Sequence, residues 1–399
     1  EWIDKIIPRF NKDEKIELKK TEIDESKVIW NKKKPYMAEI SKNKILSGSG
    51  SNKEIRHYEI DLKDSGITYE VGDTLNVIPQ NNQKLVNLIL EKLHIDENFI
   101  PSGENETMQN LLLKKYEIST PNKMLIEEIV KKSKNNDVRR ILSSDDKEKL
   151  DSFLWGKDIL DLLNLDEKIN FESEEFLGFL KPLQPRAYSI SSSLKMHQNQ
   201  VHLTISSVRW KEKERIHNGV CSTYLADMES PFSKIGVYIS QNKSFRVPEN
   251  DSAPIIMIGP GTGIAPFRAF LEERKVRGGN GKNWLFFGDQ TRKNDFIYEE
   301  EIIGFKKSGI LTKLDLAFSR DQKEKVYVQH KMLESSKKFF TWLEDGAYIY
   351  VCGDAKFMAK DVDKAIHEII QKEGRLKPES AKDYVNDLKR QKRYLRDVY

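Results

Sequence analysis

The stretch that most constrains the fold of this chain is residues 254–273. It begins with Pro254 and the apolar run Ile255–Ile258, which is typical of a buried parallel strand. Glycines at 259, 261 and 263 follow, and Pro266 then precedes apolar residues at helical spacing. This order predicts a strand, a tight glycine turn and a helix. Such a turn presents unpaired N–H groups and a positive dipole end to an anion such as a phosphate.

The spacing of this turn is Gly-x-Gly-x-Gly-x-Ala-Pro. It differs from the dinucleotide fingerprint Gly-x-Gly-x-x-Gly, so that motif does not apply here. Taken alone, the turn is better explained as an ordinary connection in an α/β domain. The rest of the chain has to decide between that and a phosphate site.

Composition narrows the function classes. A length of 399 residues allows about two or three domains of about 150 residues each. The net charge is +4 and basic residues alternate with acidic ones, which argues against nucleic-acid binding. No apolar run reaches the length of about 18 residues that a membrane span needs. Two distant cysteines and seven scattered histidines predict no disulfide framework and no metal site. We expect a soluble, cytoplasmic protein whose redox chemistry, if any, needs an organic cofactor.

The order of patterns predicts four regions. Residues 1–34 are polar and read as a linker. Short alternating strands over 35–82 and 181–250 predict an antiparallel β-barrel, interrupted by an all-helical insertion over 83–180. In that insertion, Thr120 is the expected N-cap of a helix with Pro121 at its first position.

From residue 251 to 399, strands and helices alternate regularly. Strands are expected near 254–258, 284–288, 312–318 and 347–352, and helices near 265–277, 297–307, 330–343, 357–373 and 379–390. This pattern predicts a doubly wound parallel α/β sheet, with 393–399 as a tail.

Two more loops suit anions. Arg186 with Tyr188 and Ser189 offers a guanidinium fork and two hydroxyls, and Gly219 to Thr223 offers backbone N–H groups at a helix start. Each loop alone is equally explained by an ordinary strand or turn.

Taken in order, these motifs resemble the ferredoxin–NADP reductase superfamily. The motifs are Arg-Ala-Tyr-Ser, Gly-Val-Cys-Ser, Gly-Pro-Gly-Thr-Gly-Ile-Ala-Pro-Phe-Arg and, at 351–355, Val-Cys-Gly-Asp-Ala. The helical insertion is similar to that of the diflavin reductase branch. Stretches 282–289, 319–329 and 393–399 resemble the flavoproteins of NADPH–sulfite reductases. The resemblance covers residue 35 to the end.

The resemblance implies FAD in the barrel and NADPH on the α/β domain. Its flavin-binding segments correspond to Arg186, Ala187, Tyr188, Ser189, Thr204, Ile205, Ser206, Gly219, Val220, Cys221, Ser222 and Tyr399. Its nicotinamide dinucleotide segments correspond to Gly261, Thr262, Ser319, Arg320, Lys325, Val326, Tyr327, Val328, Gln329, Asp354 and Asp361. Its catalytic trio corresponds to Ser189, Cys352 and Asp397.

Several of these residues also suit their assigned roles on physical grounds. Arg320 and Lys325 with nearby hydroxyls suit a 2′-phosphate and hence NADPH, whereas an NAD site would carry a carboxylate. Asp361 is equally explained as a solvated helix residue. Cys352, without the motif, would read as a small buried hydrophobe, and we keep that reading for Cys221. Trp210 departs from the Tyr of relatives, whose hydroxyl contacts the flavin; its indole N–H is the candidate replacement.

The resemblance also implies a function. Hydride would pass from NADPH to FAD, and electrons would pass on to FMN on a flavodoxin-like domain and then to a sulfite-reducing haemoprotein. The terminal aromatic Tyr399 would stack on the flavin and move aside for nicotinamide. Because residues 1–7 resemble the end of such a domain's last helix, we expect a fragment that lacks the FMN domain. The alternatives are a single-flavin reductase that serves a free flavodoxin or ferredoxin, a diflavin reductase with another haem acceptor, or a binding protein that has lost turnover.

Overall fold

The structure is a computed structural model that describes residues 29–212, 214–228 and 233–399. Most of the predicted linker over 1–34, and the expected helix end over 1–7, lie outside the described residues.

Within the described residues, the strands are β1 (Tyr36–Ile45), β2 (Glu54–Asp61), β3 (Thr74–Ile78), β4 (Arg186–Ser189), β5 (Gln200–Ser207), β6 (Arg209–Glu212), β7 (Arg215–Asn218), β8 (Lys234–Ser240), β9 (Ile255–Ile258), β10 (Asn283–Asp289), β11 (Lys313–Phe318), β12 (Tyr348–Gly353) and β13 (Tyr394–Val398). The helices of the same residues are α1 (Gln83–Leu93), α2 (Met108–Lys114), α3 (Lys123–Lys132), α4 (Asn136–Leu142), α5 (Lys147–Leu154), α6 (Ile159–Leu163), α7 (Ser173–Phe179), α8 (Val220–Ala226), α9 (Ala265–Arg277), α10 (Arg292–Asp295), α11 (Glu299–Lys307), α12 (Val328–Glu334), α13 (Ser336–Glu344), α14 (Met358–Glu373) and α15 (Pro378–Arg390).

The N-terminal part is built on an antiparallel sheet, as predicted. Its strand order is β4-β3-β8-β1-β2-β5, and an isolated bridge between Ile190 and Leu203 joins the chain beyond β4 to β5. Alternate side chains point inward, so Tyr58, Ile60 and Leu75 are fully buried in one core. Strand β8 and the hairpin of β6 and β7 are not among the predicted strands.

A block of helices, α1 to α7, lies between β3 and β4, where the all-helical insertion is predicted. It has its own apolar core, which includes Val86, Leu111 and Ile129. The predicted N-cap at Thr120 is wrong. The cap of α3 is Asn122, whose side-chain oxygen accepts from the backbone N–H of Leu125 at 3.2 Å. Pro121 precedes the cap rather than following it.

The C-terminal part contains the predicted parallel sheet, with strand order β11-β10-β9-β12-β13. Alternate residues of β9 serve its two faces. Met257 packs in one core with α9 and α11, whereas Ile258 packs in another with α12 to α15. The predicted tail is strand β13, which pairs in parallel with β12 from Ile349↔Tyr394 to Gly353↔Val398.

Polar contacts join the antiparallel sheet of the N-terminal part to the parallel sheet of the C-terminal part; we call each sheet with the elements packed on it a sheet system. Lys53, in the loop after β1, pairs with Asp289 at the end of β10. Tyr298, just before α11, bonds His57 on β2 and Thr204 on β5. These contacts hold the carboxyl end of β10 and the start of α11 against the antiparallel sheet. No helix in the described part of the chain has the length and apolar character that crossing a membrane requires.

Candidate functional site

The three predicted catalytic residues lie together. Ser189 is the last residue of β4, and its Oγ donates a hydrogen bond to Asp397 Oδ2 at 2.7 Å across the two sheet systems. Cys352 and Asp397 are register partners in β12 and β13. Residues from three distant segments therefore form one constellation.

Cys352 is suited to packing rather than to nucleophilic attack. Its side chain is fully buried, and burial together with the neighbouring Asp397 charge raises the pKa of the thiol well above its usual value. The thiol is therefore protonated at neutral pH.

The glycine turn approaches this constellation closely. Residues Gly261–Ile264 form a 3-10 turn that leads into α9. Gly261 has a φ of 57°, in the left-handed region that favours glycine. A Cβ on Gly263 would lie 2.2 Å from the carbonyl oxygen of Cys352, so only glycine allows the turn to pack on β12.

A cleft of about 690 Å³ opens in front of this turn. It collects nearly all the residues predicted to bind a nicotinamide dinucleotide, namely Gly261, Thr262, Ser319, Arg320, Lys325, Tyr327, Val328, Gln329, Asp354 and Asp361. Val326 is the exception, because its partly buried side chain packs against the core around α12 and α14.

The far end of the cleft is basic. Arg320 and Lys325 are exposed, and their charged groups make no hydrogen bond or ion pair with the described residues. Asp361 lies opposite and accepts a hydrogen bond from Gln329 Nε2 at 3.3 Å. Two unpaired cations at the carboxyl end of β11 fit a phosphorylated ribose, and the glycine turn fits a pyrophosphate.

Among the cleft residues that were not predicted, Lys53, Asp289 and Phe357 carry a charge or an aromatic ring. Lys53 Nζ contacts Asp289 Oδ1 at 2.5 Å, and burial raises the pKa of the Asp289 carboxyl in spite of this lysine. Phe357, before α14, is 67% exposed and presents an aromatic ring to the cleft. Asp289 follows a buried strand and could have been found by that signal, whereas Lys53 stands in a polar loop with no distinctive pattern.

Tyr399 lies between the cleft and the constellation. Its Oη and Thr262 Oγ1 are 2.8 Å apart, and its ring is 67% exposed. Its main chain continues the β13 pairing, because Tyr399 N donates to Gly353 O at 3.1 Å. The predicted flavin-stacking ring is thus fixed by its hydroxyl to the glycine turn.

The predicted flavin segments converge in part. Arg186 and Ala187 are exposed on the edge strand β4, and the Arg186 guanidinium has no hydrogen-bond partner among the described residues. Tyr188 packs in the same apolar core as Cys221, which brings β4 next to the segment Gly219–Ser222 at the start of α8. Burial raises the pKa of Cys221 to about 12, in keeping with a small core residue.

The side chains predicted on β5 face elsewhere. The Thr204 hydroxyl lies 2.7 Å from Tyr298 Oη, and Ile205 is buried in the core of the antiparallel sheet. Ser206 is half-buried opposite Ile55 of β2. Any flavin contact of Thr204 and Ile205 would therefore use main-chain atoms.

Trp210 already uses its indole N–H. Nε1 donates to the carbonyl oxygen of Gly156 at 2.9 Å, and the ring stacks on His217 with centroids 5.3 Å apart. The indole thus links hairpin β6–β7 to the helical insertion rather than presenting its N–H to a ligand.

Among the residues that the structure describes, two groups of acidic and histidine side chains come within metal-binding distance: His57, Glu59 and His202, and Asp158, Asp161 and His217. In the second group, Arg215 Nη2 lies 2.5 Å from Asp158 and 2.7 Å from Asp161. In the first, Arg268 Nη1 lies 3.3 Å from His202 Nδ1. A guanidinium therefore already stands beside each group where a metal cation would bind.

Comparisons with known proteins agree with this geometry. Residues 30–224 match the FAD binding domain family, and residues 257–364 match the oxidoreductase NAD-binding domain family. The chain therefore combines the two domains from which a class of flavoprotein oxidoreductases is built.

Within that class, the chain is similar to sulfite reductase (NADPH) flavoprotein alpha-components. It is 43% identical to that of Bacillus subtilis (strain 168) over 374 residues, which are 93% of this chain and 62% of the relative. It is 42% identical to that of Vibrio vulnificus (strain CMCP6) over 93% of this chain and 60% of the relative, and 41% identical to that of Mannheimia succiniciproducens over 94% and 63%. The chain spans about three fifths of the length of these relatives.

Proposed function

We propose that this chain is an NADPH-dependent flavoprotein reductase that passes electrons towards a sulfite-reducing haemoprotein. The observation that carries the proposal is the 2.7 Å hydrogen bond from Ser189 to Asp397, at the end of a cleft lined by the dinucleotide residues. The names of the relatives support the acceptor, and an FMN module, either a flavodoxin-like domain or a free flavodoxin, is the expected intermediate carrier.

The residues of the cleft fit NADPH. The glycine turn from Gly261 leaves room for a pyrophosphate, since it carries no side chain at its closest approach. Arg320 and Lys325 would hold the 2′-phosphate, and Tyr327, 42% exposed, offers a ring face for the adenine. Asp354 and Asp361 would border the same ligand.

The edge strand β4 fits FAD. Arg186 presents an unpaired guanidinium beside the start of α8, and the exposed ring of Tyr399 stands at the other end of the strand. We propose that residues 35–82 and 181–250 form the FAD-binding unit, whose sheet closes as a barrel through the Ile190–Leu203 bridge. Residues 83–180 would be the connecting insertion and 251–399 the NADPH-binding unit.

When bound, FAD supplies the two-electron acceptor for the hydride of NADPH and releases electrons singly. The chain's own residues orient this exchange. Ser189 Oγ donates its single proton to Asp397 here, so the hydroxyl would turn from that carboxylate to donate to the flavin edge. The Asp397 carboxylate offers negative charge where the nicotinamide ring becomes positive, and Cys352 packs beside it without a charge.

Anaerobic mixing of the FAD-loaded chain with NADPH or NADH tests the proposal. We expect NADPH to bleach the flavin absorbance and to drive ferricyanide reduction, with NADH much less effective. Addition of a flavodoxin and a sulfite reductase haemoprotein then tests the acceptor. A protein that binds FAD but reduces nothing with NADPH would favour the binding-protein alternative, and turnover of flavodoxin without sulfite reduction would favour the single-flavin reductase. We place the activity in the cytoplasm, where two free, buried cysteines stay reduced.

A further inference from the structure

Helix α9 connects the glycine turn to the segment that follows the flavin strand. The helix starts at Ala265, directly after the turn. Its buried face meets the serine segment (Ser191–Lys195), which begins two residues after Ser189. The three serines of this segment are fully buried, although they belong to an irregular stretch of chain.

Charged side chains of α9 make hydrogen bonds and an ion pair with the serine segment, and we call this contact the joint. Arg268 Nη1 donates to Ser191 O at 2.6 Å. Glu272 Oε2 accepts from the backbone N–H of Ser193 at 2.8 Å, and Glu273 Oε2 accepts from Ser193 Oγ at 2.6 Å. Lys195 Nζ reaches Glu273 Oε1 at 2.7 Å. Buried, charge-assisted hydrogen bonds of this kind are stronger and more directional than neutral ones.

Arg268 is the centre of the joint. It is 8% exposed, and its other nitrogens pair with Glu272 at 3.0 Å and with Glu301 at 2.7 Å. Two carboxylates therefore fix the orientation of the guanidinium, and its third nitrogen donates to Ser191 O in the antiparallel part. An ammonium group cannot reproduce this planar set of donors.

We infer that Arg268, Glu272 and Glu273 are positioning residues that set the distance between the flavin strand and the dinucleotide turn. The inference rests on the proposed function. A shift of α9 against the serine segment would move Ser189 relative to Asp397, because Ser189 lies two residues before that segment. On the other side, the glycine turn before α9 packs on Cys352 of β12, and Cys352 is the register partner of Asp397. Misplacement by about 1 Å can slow a reaction about a hundredfold.

Arg268→Lys tests this, with Arg274→Lys as the matched control. Arg274 lies on the same helix, is 2% exposed and donates to Asp251 O and Ala253 O, within its own sheet system. Glu273→Gln is the second variant, since it keeps the shape of the side chain and weakens the contacts with Lys195 and Ser193.

We expect Arg268→Lys to slow single-turnover hydride transfer about tenfold to a hundredfold while the dissociation constant for NADP⁺, measured by calorimetry, changes less than about threefold. Amide hydrogen exchange at Ser193 should accelerate in Arg268→Lys but not in Arg274→Lys, with or without FAD. If Arg268→Lys does not fold, the same comparison is made with Glu273→Gln. Equal rates and equal exchange in the variant and the control overturn the inference, whereas an unsubstituted protein that is not reduced by NADPH overturns the proposed function.

Discussion

Replacement of Asp397 by Asn isolates the effect of one negative charge on hydride transfer. The change keeps the size of the side chain, and an amide oxygen can still accept the hydrogen bond that Ser189 donates at 2.7 Å. What is lost is the carboxylate charge next to the site where positive charge develops on nicotinamide. Asp397 is half-buried, so solvent screens it incompletely.

The magnitude follows from Coulomb's law. Opposite unit charges about 4 Å apart attract by about 4 kcal/mol at an effective dielectric constant of about 20. If about half a charge has developed at the transition state, the variant loses about 2 kcal/mol, which corresponds to a rate about 30-fold lower.

The assay is anaerobic stopped-flow reduction of the bound flavin by saturating NADPH. Asp361→Asn is the matched control, because it removes a carboxylate from the same cleft at a position that faces Gln329. We expect the control to alter the NADPH concentration at half-saturation and to leave the limiting rate nearly unchanged. A limiting rate for Asp397→Asn within threefold of the unsubstituted protein would refute the electrostatic role.

Further outcomes concern the coenzyme, the terminal aromatic residue and pH. Arg320→Ala should raise the KM for NADPH about 10- to 100-fold and leave the KM for NADH unchanged, since a charge-assisted hydrogen bond contributes about 1.5–3 kcal/mol. Lys323→Ala is the control, because Lys323 lies on the same loop but outside the cleft; an equal loss for both coenzymes in Arg320→Ala would contradict the 2′-phosphate site. Tyr399→Phe loses the hydrogen bond to Thr262 but keeps the ring, so it should change the KM for NADPH less than deletion of Tyr399 does. The deletion should also raise the use of NADH. Steady-state kinetics of both variants check this, and unchanged constants after the deletion would exclude a ring that moves aside for nicotinamide. Burial and the nearby Arg268 lower the pKa of His57 to about 4, whereas the same histidine in the unfolded chain is protonated below about 6.5. The urea midpoint of unfolding should therefore fall as the pH decreases from about 6.5 to about 4, and His57→Gln should flatten that decline.

Local signals made the dinucleotide half of the fold predictable. The run Ile255–Ile258, the three glycines and Pro266 each determine backbone conformation within a few residues, and β9, the turn and α9 lie where these residues place them. β8 was harder to recognise, because Gly236 interrupts its alternation. The structure explains that glycine, since a Cβ there would lie 3.1 Å from Ile78 on the neighbouring strand.

Contacts between sheet systems could not be derived from local patterns. Lys53 and Asp289 are 236 positions apart, and no periodicity relates a polar loop to the end of a distant strand. The grouping of Ser189, Cys352 and Asp397 came from resemblance to a family, because residue spacing alone says nothing about which strands become neighbours. The Trp210 bond to Gly156 is similar, since it depends on how the hairpin meets the insertion.

The register of β13 fixes the positions of both Asp397 and the terminal residue Tyr399. Side chains alternate along a strand, so Asp397 and Tyr399 project to the same side while Val398 packs towards the opposite core. Asp397 is thereby placed beside Cys352, and Tyr399 reaches Thr262. Two main-chain bonds fix this register, from Tyr399 N to Gly353 O and from Ala355 N to Tyr399 O. A slip of one residue would exchange the carboxylate for valine and remove both features together. The pairing of one short edge strand thus determines where both the Asp397 carboxylate and the Tyr399 ring lie.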